Sequence, residues 1–256
     1  MSYARFVSDV RDALGLDLRF YKAPQMMRRI ATLMRRRGFD DYGAYFRAIV
    51  EDERLRTEFI DRVTINVSEF FRNPELWAEL DRHVLAELAR LPHLKLWSAA
   101  CSTGEEPYTL AMLLHARRAL AGVWLLATDI DEPALQMARA ARYSAKSVQS
   151  VPADYRARYF VPDGDAFRVA EELVSMVHFM RHDLLRDPYP KGPFDLIVNR
   201  NVAIYFTDEG KKHLYRSLAG VLRPGGYLFV GGTEQIFHPE QYGLEQAYPF
   251  VYRRKS

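Results

Sequence analysis

The segment 96–108 carries the pattern that most limits how this chain can fold. It reads Leu-Trp-Ser-Ala-Ala-Cys-Ser-Thr-Gly-Glu-Glu-Pro-Tyr, so an apolar run leads into small residues and then into an acidic helix start. This pattern is typical of a strand that ends beneath a nucleotide-like ligand in an open α/β sheet. The adjacent carboxylates of Glu105 and Glu106 would repel a phosphate. The pattern therefore favours a cationic or zwitterionic ligand, of which S-adenosylmethionine, with its sulfonium and ammonium groups, is the obvious candidate.

Short apolar runs alternate with helical patterns from residue 94 onward, which predicts a doubly wound α/β sheet of the Rossmann type. The predicted strands are 94–99, 123–128, 177–181, 194–199 and 227–230. The predicted helices between them are 108–119, 133–140 and 209–222. With 256 residues, the chain is long enough for this sheet and one smaller domain.

Two regions depart from this alternation. Residues 1–63 carry apolar side chains at helical spacing and no strand pattern, which predicts a small N-terminal all-helical domain. Residues 64–76 are interpreted as a connector and residues 77–256 as the sheet domain. Within the sheet domain, an Asp-Gly turn at 163–164 predicts a hairpin. We therefore expect a small antiparallel β subdomain inserted at about 159–180.

Polar residues follow several of the predicted strands. Asp129 ends the second strand, where a carboxylate can accept hydrogen bonds from both hydroxyls of a ribose, while Asp131 is expected to cap the next helix. Asp183 follows the third strand, and it either recognises an adenine edge or is a simple loop residue. The segment 199–206 follows the fourth strand with two Asn and one Arg, which either pack the loop against itself or line a transferable methyl group.

Four motifs together resemble the bacterial chemotaxis receptor glutamate methyltransferases, the CheR family. They are TINVSEFFR at 64–72, WSAACSTGEEPY at 97–108, DID at 129–131 and RNVAIYF at 200–206. The resemblance extends from the helical domain to about Glu234, with the motifs in the same order. It implies a class I S-adenosylmethionine-dependent methyltransferase sheet. It also implies an enzyme that esterifies glutamate side chains on the cytoplasmic helices of chemoreceptors, with S-adenosylhomocysteine as the product.

The resemblance also assigns roles to individual residues. Arg72 and Tyr205 match the two residues nearest the methyl group, so they are the expected catalytic residues. Glu106, rather than Glu105, matches the residue at the methionine end of the cofactor, and Asp129 matches the ribose ligand. The full set of expected cofactor-binding residues is Asn66, Ser68, Arg72, Glu106, Asp129, Asp183, Leu184, Arg200 and Asn201.

The sequence departs from the family pattern at two places that affect the roles implied by the resemblance. Gly231-Gly232-Thr233-Glu234 stands where the family often shows Gly-His-Ser-Glu, so the role of that histidine is not transferred. The insertion around 163–166 is shorter than in members that dock on a C-terminal receptor pentapeptide. We therefore expect methylation without pentapeptide tethering.

The segment 19–37 is a candidate partner surface, with seven Lys or Arg residues and no acidic residue. A solvated helix face is the simple interpretation. The alternative is a docking face for Glu-rich receptor helices, which a basic surface would attract. Nucleic acid is disfavoured because aromatic side chains are not interleaved with the cluster. The residues expected to form one face of a helix are Arg28, Arg29, Arg35 and Arg36.

The composition indicates the cellular compartment in which the chain is expected. One cysteine, Cys101, excludes an internal disulfide and favours a reducing compartment, and no apolar run reaches the ~20 residues of a membrane helix. We expect a cytoplasmic monomer without a metal site. Two alternatives stay open. One is the same chemistry on another signalling protein, and the other is a non-catalytic scaffold that binds S-adenosylmethionine or S-adenosylhomocysteine.

Overall fold

The computed structural model describes residues 1–64, 68–117 and 121–256, and it begins with a helical domain. Ser2 caps the first helix, whose end is set by Gly15 in the left-handed region at φ 71°. Phe6, Tyr45 and Phe59 form a buried aromatic core between the helices. The predicted all-helical domain is thereby confirmed. Its helices are α1 (Tyr3–Leu14), α2 (Ala23–Arg36), α3 (Tyr42–Glu51) and α4 (Glu53–Thr64).

A continuous helical segment follows the connector and packs on the sheet. It consists of α5 (Pro74–Leu80), a π-helical stretch (Asp81–Leu85) and α6 (Ala86–Leu88). Pro74 stands in the first turn of α5, where its missing amide hydrogen costs nothing. Trp77 is buried here against Phe229 of the sheet.

The core of the second domain is a seven-stranded sheet with the order β6-β2-β1-β7-β8-β10-β9. All strand pairs from β6 to β8 are parallel, whereas β10 runs antiparallel to both β8 and β9. The strands are β1 (Leu94–Ala99), β2 (Val123–Asp129), β6 (Val177–Arg181), β7 (Phe194–Asn199), β8 (Leu222–Val230), β9 (Leu244–Tyr248) and β10 (Val251–Arg254). The helices on its faces are α7 (Glu105–Arg117), α8 (Glu132–Ala140) and α11 (Asp208–Val221).

The sheet confirms the predicted doubly wound fold, and its topology fixes where a ligand can bind. The chain runs outward from β1 in both directions, with β2 on one side and β7 on the other. In sheets of this kind, ligands bind outside the carboxyl ends of the strands at such a switch point. The residues that follow β1, β2 and β7 therefore surround one crevice.

A second, three-stranded antiparallel sheet is inserted between β2 and β6. It contains β3 (Arg142–Ser144), β4 (Phe160–Asp163) and β5 (Ala166–Val169) in the order β3-β5-β4, with α9 (Ala153–Tyr159) and α10 (Glu171–Val174). The hairpin at the Asp-Gly turn is present as predicted. The insert nevertheless begins at Arg142, and residues 177–180, which the predicted insert included, belong to the main sheet. The strand β3 has three residues and no apolar run, so its pattern gives no strand signal.

The terminal hairpin, β9 and β10, is also absent from the sequence-based prediction. The strand β9 lies at the edge of the sheet and reads Leu-Glu-Gln-Ala-Tyr, with too few apolar residues to mark a buried strand. The strand β8 begins at Leu222 rather than at residue 227, because its pairing with β7 continues through a register shift. In the described part of the chain, no helix combines the length and the apolar character that a membrane span requires.

Candidate functional site

A cavity lies at the switch point, between the sheet, the connector and the loop after β7. Seven of the expected site residues line it: Ser68, Arg72, Glu106, Asp129, Arg200, Asn201 and Tyr205. The remaining lining residues are Thr64, Glu69, Ala100, Cys101, Ser102 and Val202. The structure thus brings together side chains from both domains and from the connector.

The turn after β1 is tightly wound, and its residues Ala100, Cys101 and Ser102 line the cavity. Ala100 and Ser102 have positive φ angles of 71° and 49°, and Gly104 has 95°. The amides of Ala100 and Cys101 both donate to the Thr128 carbonyl, at 2.8 and 2.9 Å. A Cβ on Gly104 would lie 2.8 Å from both the Ala138 side chain and the Tyr143 hydroxyl, so only glycine fits there.

Asp129 is fixed at the end of β2 by backbone amides. Its Oδ2 accepts a hydrogen bond from the Ser102 amide at 2.7 Å, and its Oδ1 accepts one from the Asp131 amide at 3.0 Å. Burial raises the pKa of Asp129 to about 6, against the opposing effect of these amides. Asp131 itself caps α8 by accepting from the Ala134 amide, as expected. Asp129 therefore presents a rigid acceptor to any hydroxyl group in the cavity.

Of the two adjacent glutamates, Glu106 faces the cavity. The Ser98 hydroxyl donates to its Oε1 at 2.8 Å, and Nη1 of Arg200 lies 3.9 Å from its Oε2. Burial raises the pKa of Glu106 to about 7, although Arg200 and the Ser98 hydrogen bond act in the opposite direction. Glu105 instead accepts a hydrogen bond from the Thr103 hydroxyl at 2.7 Å. Glu106 is thus a largely buried carboxylate that a cation in the cavity would stabilise.

Arg200 holds the connector to the sheet. Its guanidinium packs against the contacting rings of Trp77 and Phe229, at 5.0 and 4.9 Å from their centroids. Its Nη2 donates to the backbone carbonyl of Arg72 at 2.7 Å. Contact with two aromatic rings favours the cationic form of Arg200, although burial lowers its pKa. One side chain therefore positions both Glu106 and the backbone of Arg72.

Glu234 supports the loop after β7, and the sequence analysis gave it no role. Its carboxylate accepts hydrogen bonds from the amides of Gly231 at 2.9 Å, Ile204 at 3.3 Å and Asn201. Asn201 has a φ of 61°, so the loop is held in a left-handed turn. An acid four residues after the apolar strand β8 was the available signal, but the Asn201 and Ile204 amides precede it by 33 and 30 residues.

The helical domain also contacts the loop after β7, which the sequence patterns did not predict. The Lys22 amide donates to the Tyr205 carbonyl at 2.9 Å, and the Thr207 amide donates to the Phe20 carbonyl at 2.7 Å. The guanidinium of Arg29 lies 5.9 Å from the centre of the Tyr205 ring. Tyr205 is therefore fixed from the side of the helical domain.

Two of the expected cofactor-binding residues, Asp183 and Leu184, are not among the described residues that line the cavity. Asp183 and Leu184 are buried beside it, and the Asp183 carboxylate accepts from the Leu185 amide at 2.8 Å. Asn66 lies outside the described residues. The hydrogen bond to the Leu185 amide places the Asp183 carboxylate in a local turn after β6.

The expected basic face lies on α2, but its members are not equivalent. Arg28, Arg35 and Arg36 are exposed, whereas Arg29 is half-buried and donates to the carbonyl of Val63 at 3.3 Å. Arg29 therefore links α2 to the end of α4 and to Tyr205, and the other three arginines face solvent.

Comparisons with known proteins agree with this architecture. The chain matches the family model of the CheR methyltransferase all-alpha domain over residues 1–64 and that of the CheR methyltransferase SAM-binding domain over residues 66–250. It is 42% identical to a chemotaxis protein methyltransferase of Listeria monocytogenes, over 98% of this chain and 96% of that protein. It is 34% identical to the chemotaxis protein methyltransferase of Salmonella typhimurium, over 91% and 83% of the two chains. The corresponding protein of Escherichia coli is 33% identical over 89% and 82%.

Proposed function

This chain belongs to the CheR methyltransferase family, and we propose that it methylates glutamate side chains on the cytoplasmic helices of chemoreceptors. Because the chain belongs to this family, it is an S-adenosylmethionine-dependent protein methyltransferase that acts in chemotaxis. One observation carries the finer proposal. Arg72 and Tyr205, which suit an anionic substrate, line the same cavity as Glu106 and Asp129, which suit a cationic nucleoside.

The cavity residues fit this cofactor. The carboxylate of Glu106 is largely buried, which raises its pKa to about 7, so the α-ammonium of the methionine end would find its counter-charge there. Asp129, already oriented by two amides, would accept hydrogen bonds from the ribose hydroxyls. Arg200 and Asn201 would lie beneath the cofactor, and Asn66, Ser68 and Arg72 would belong to the connector that covers it. We keep Asp183 and Leu184 as the proposed neighbours of the adenine.

The proposed chemistry needs no general base. A glutamate carboxylate has an ordinary pKa of ~4.3 and is ionised at neutral pH. The cofactor supplies a methyl group activated by its sulfonium charge. Arg72 would hold the substrate carboxylate by charge-assisted hydrogen bonds, and Tyr205 would offer its hydroxyl beside the methyl group. Orientation of this kind is worth up to ~7–11 kcal/mol in favourable reactions, and exclusion of water by the connector would add to it.

Receptor docking would use the basic face of α2, without a tether. Three exposed arginines on this face would attract helices rich in glutamate. In the small sheet, the cations of Arg142 and Arg168 are already paired with Asp163 and Asp165. These pairs leave the hairpin little free charge for the carboxylate of a receptor C-terminus. We further propose that the protein acts as a monomer in the cytoplasm.

Methyl transfer from a labelled cofactor tests this function. The protein would be incubated with receptor-containing membranes, and the product would be treated with base. Volatile methanol is the expected product, because carboxyl methyl esters are base-labile and methylated nitrogen is not. Label that stays on a soluble signalling protein would identify a different substrate. Cofactor binding without any transfer would identify a scaffold.

A further inference from the structure

A second cavity of about 630 Å³ lies on the other side of the loop that carries Tyr205. It is formed between the first turns of α11 and the segment 231–242 after β8. Ala203 and Ile204 line this cavity, whereas the following residue, Tyr205, lines the cofactor cavity. The two cavities are therefore separated by one turn of backbone, and Glu234 holds that turn in place. We call the second cavity the Phe237 groove.

The groove has an apolar floor and an exposed aromatic rim. Tyr215 and Ile236 form part of the floor and are almost fully buried. Phe237 stands at the rim with 75% of its surface exposed, more than any other large apolar side chain among the described residues. A single exposed apolar residue needs no explanation. An exposed ring beside an apolar groove of this size, however, is typical of a surface that binds a partner.

The rim of the groove carries two lysines and one exposed carboxylate, that of Asp208. Lys211 and Lys212 both line the groove, and Lys211 lies 3.7 Å from the carboxylate of Asp208. No carboxylate of the described residues lies within ion-pair distance of Lys212, which is exposed. The carboxylate of Glu234 is buried and bonded to backbone amides, so it adds little negative potential. An acidic partner therefore suits this rim better than a basic one.

We propose that the Phe237 groove binds the apolar face of the substrate helix, next to the glutamate that is methylated. This inference rests on the proposed function and adds a second contact surface to the basic face of α2. Tyr205 lies between the two surfaces, because its carbonyl accepts from Lys22 at the start of α2 while Ile204 lines the groove. An acidic amphipathic helix that crosses Tyr205 would place apolar anchors at i, i+3 and i+7 in the groove. Its acidic side chains would face Lys212 and α2.

Steady-state kinetics with purified receptor signalling domains tests the proposal. Phe237→Ser is expected to raise the KM for the receptor about tenfold, as the loss of one aromatic anchor does in other interfaces, with kcat unchanged. Lys212→Glu is expected to raise the same KM by a smaller factor that shrinks at high salt. The matched control is Met137→Ser on α8, which changes a side chain that is 59% exposed and does not line the groove. An unchanged KM in Phe237→Ser would overturn the proposal.

Cross-linking separates this proposal from the proposed function. A photoreactive benzoylphenylalanine at position 237 would be irradiated with receptor and S-adenosylhomocysteine, and the captured peptide would be sequenced. Capture of a methylation helix supports the groove even if turnover is undetectable. Capture of a second copy of this chain, or of the receptor C-terminus, contradicts it. Unaltered binding of S-adenosylhomocysteine by each variant would show that the fold and the cofactor site are intact.

Discussion

The two walls of the switch-point cavity are built by different kinds of contact. On the sheet wall, Asp129 accepts hydrogen bonds from the Asp131 amide, two residues further along the chain, and from the Ser102 amide in the turn after β1. Glu106 accepts a hydrogen bond from the hydroxyl of Ser98 in β1. On the opposite wall, Tyr205 is held by Lys22 and Arg29 of the helical domain. The sheet wall is thus rigid by itself, whereas the other wall depends on how the two domains pack. This contrast suggests that the sheet wall binds cofactor and that the other wall aligns substrate.

Removal of Arg72 should have the largest effect on turnover. Arg72→Ala removes the proposed clamp on the substrate carboxylate, and misalignment of this kind costs roughly 10²-fold in rate. The affinity for S-adenosylhomocysteine should change much less. Labelled methyl transfer and calorimetry on the same preparation measure both quantities. Near-normal turnover would remove Arg72 from the mechanism, and Arg62→Ala, on the exposed surface of α4, serves as the control.

Substitution of Asp129 on the sheet wall should weaken cofactor binding, with residual turnover at saturating cofactor. Asp129→Asn keeps the shape but weakens charged hydrogen bonds worth roughly 1.5–3 kcal/mol each. We therefore expect about a tenfold to hundredfold loss of cofactor affinity, with residual turnover at saturating cofactor. Titration calorimetry measures the affinity. Equal affinities of Asp129→Asn and wild type would show that the ribose is held elsewhere.

Cofactor affinity should rise with pH as the buried acids ionise. In the ligand-free protein the pKa of Glu106 is about 7 and that of Asp129 about 6, both raised mainly by burial. Binding of a cation favours the ionised form of Glu106, so affinity should rise from pH 6 to pH 8 by at most about tenfold per unit. In Glu106→Gln the part of this rise near pH 7 should disappear. A pH-independent affinity in wild type would contradict the assignment.

The same raised pKa values predict that the stability of the ligand-free protein falls as pH rises. The folded state disfavours the ionised carboxylates, so the contribution of these groups is present at low pH. It is lost as pH rises through about 6 for Asp129 and about 7 for Glu106. Chemical denaturation of Glu106→Gln should therefore depend less on pH near 7 than that of wild type. An identical pH dependence in both proteins would contradict it.

Substitutions in the helical domain should have the smallest effects on the kinetics, and two arginines of α2 should affect different kinetic constants. Arg29→Ala removes the contact with the Tyr205 ring, worth about 0.5–1 kcal/mol, so kcat should fall a few-fold at any salt concentration. Arg35→Glu on the exposed face should instead raise the KM for receptor at low salt and have little effect at high salt. Measuring kcat and KM at two ionic strengths separates these outcomes. Identical behaviour of the two variants would break the distinction between aligning and docking residues.

The same contrast explains what could be predicted from sequence. Glu106 and Asp129 directly follow strands, so local pattern and sheet topology place them at the crevice. Glu234 and Lys22 act through residues far away in the chain, and their contacts arise only after the loop after β7 has packed. The strand β3 and the terminal hairpin were missed for a related reason. Their short, partly charged segments become strands because neighbouring strands pair with them.

Titration of S-adenosylhomocysteine into the full chain tests the central claim most directly, because every role assigned above requires a nucleoside in the cavity between the two domains. We predict binding of one molecule per chain, weakened by Asp129→Asn and retained by Arg62→Ala. Absence of heat at saturating protein concentration, or equal binding by both variants, would contradict the account.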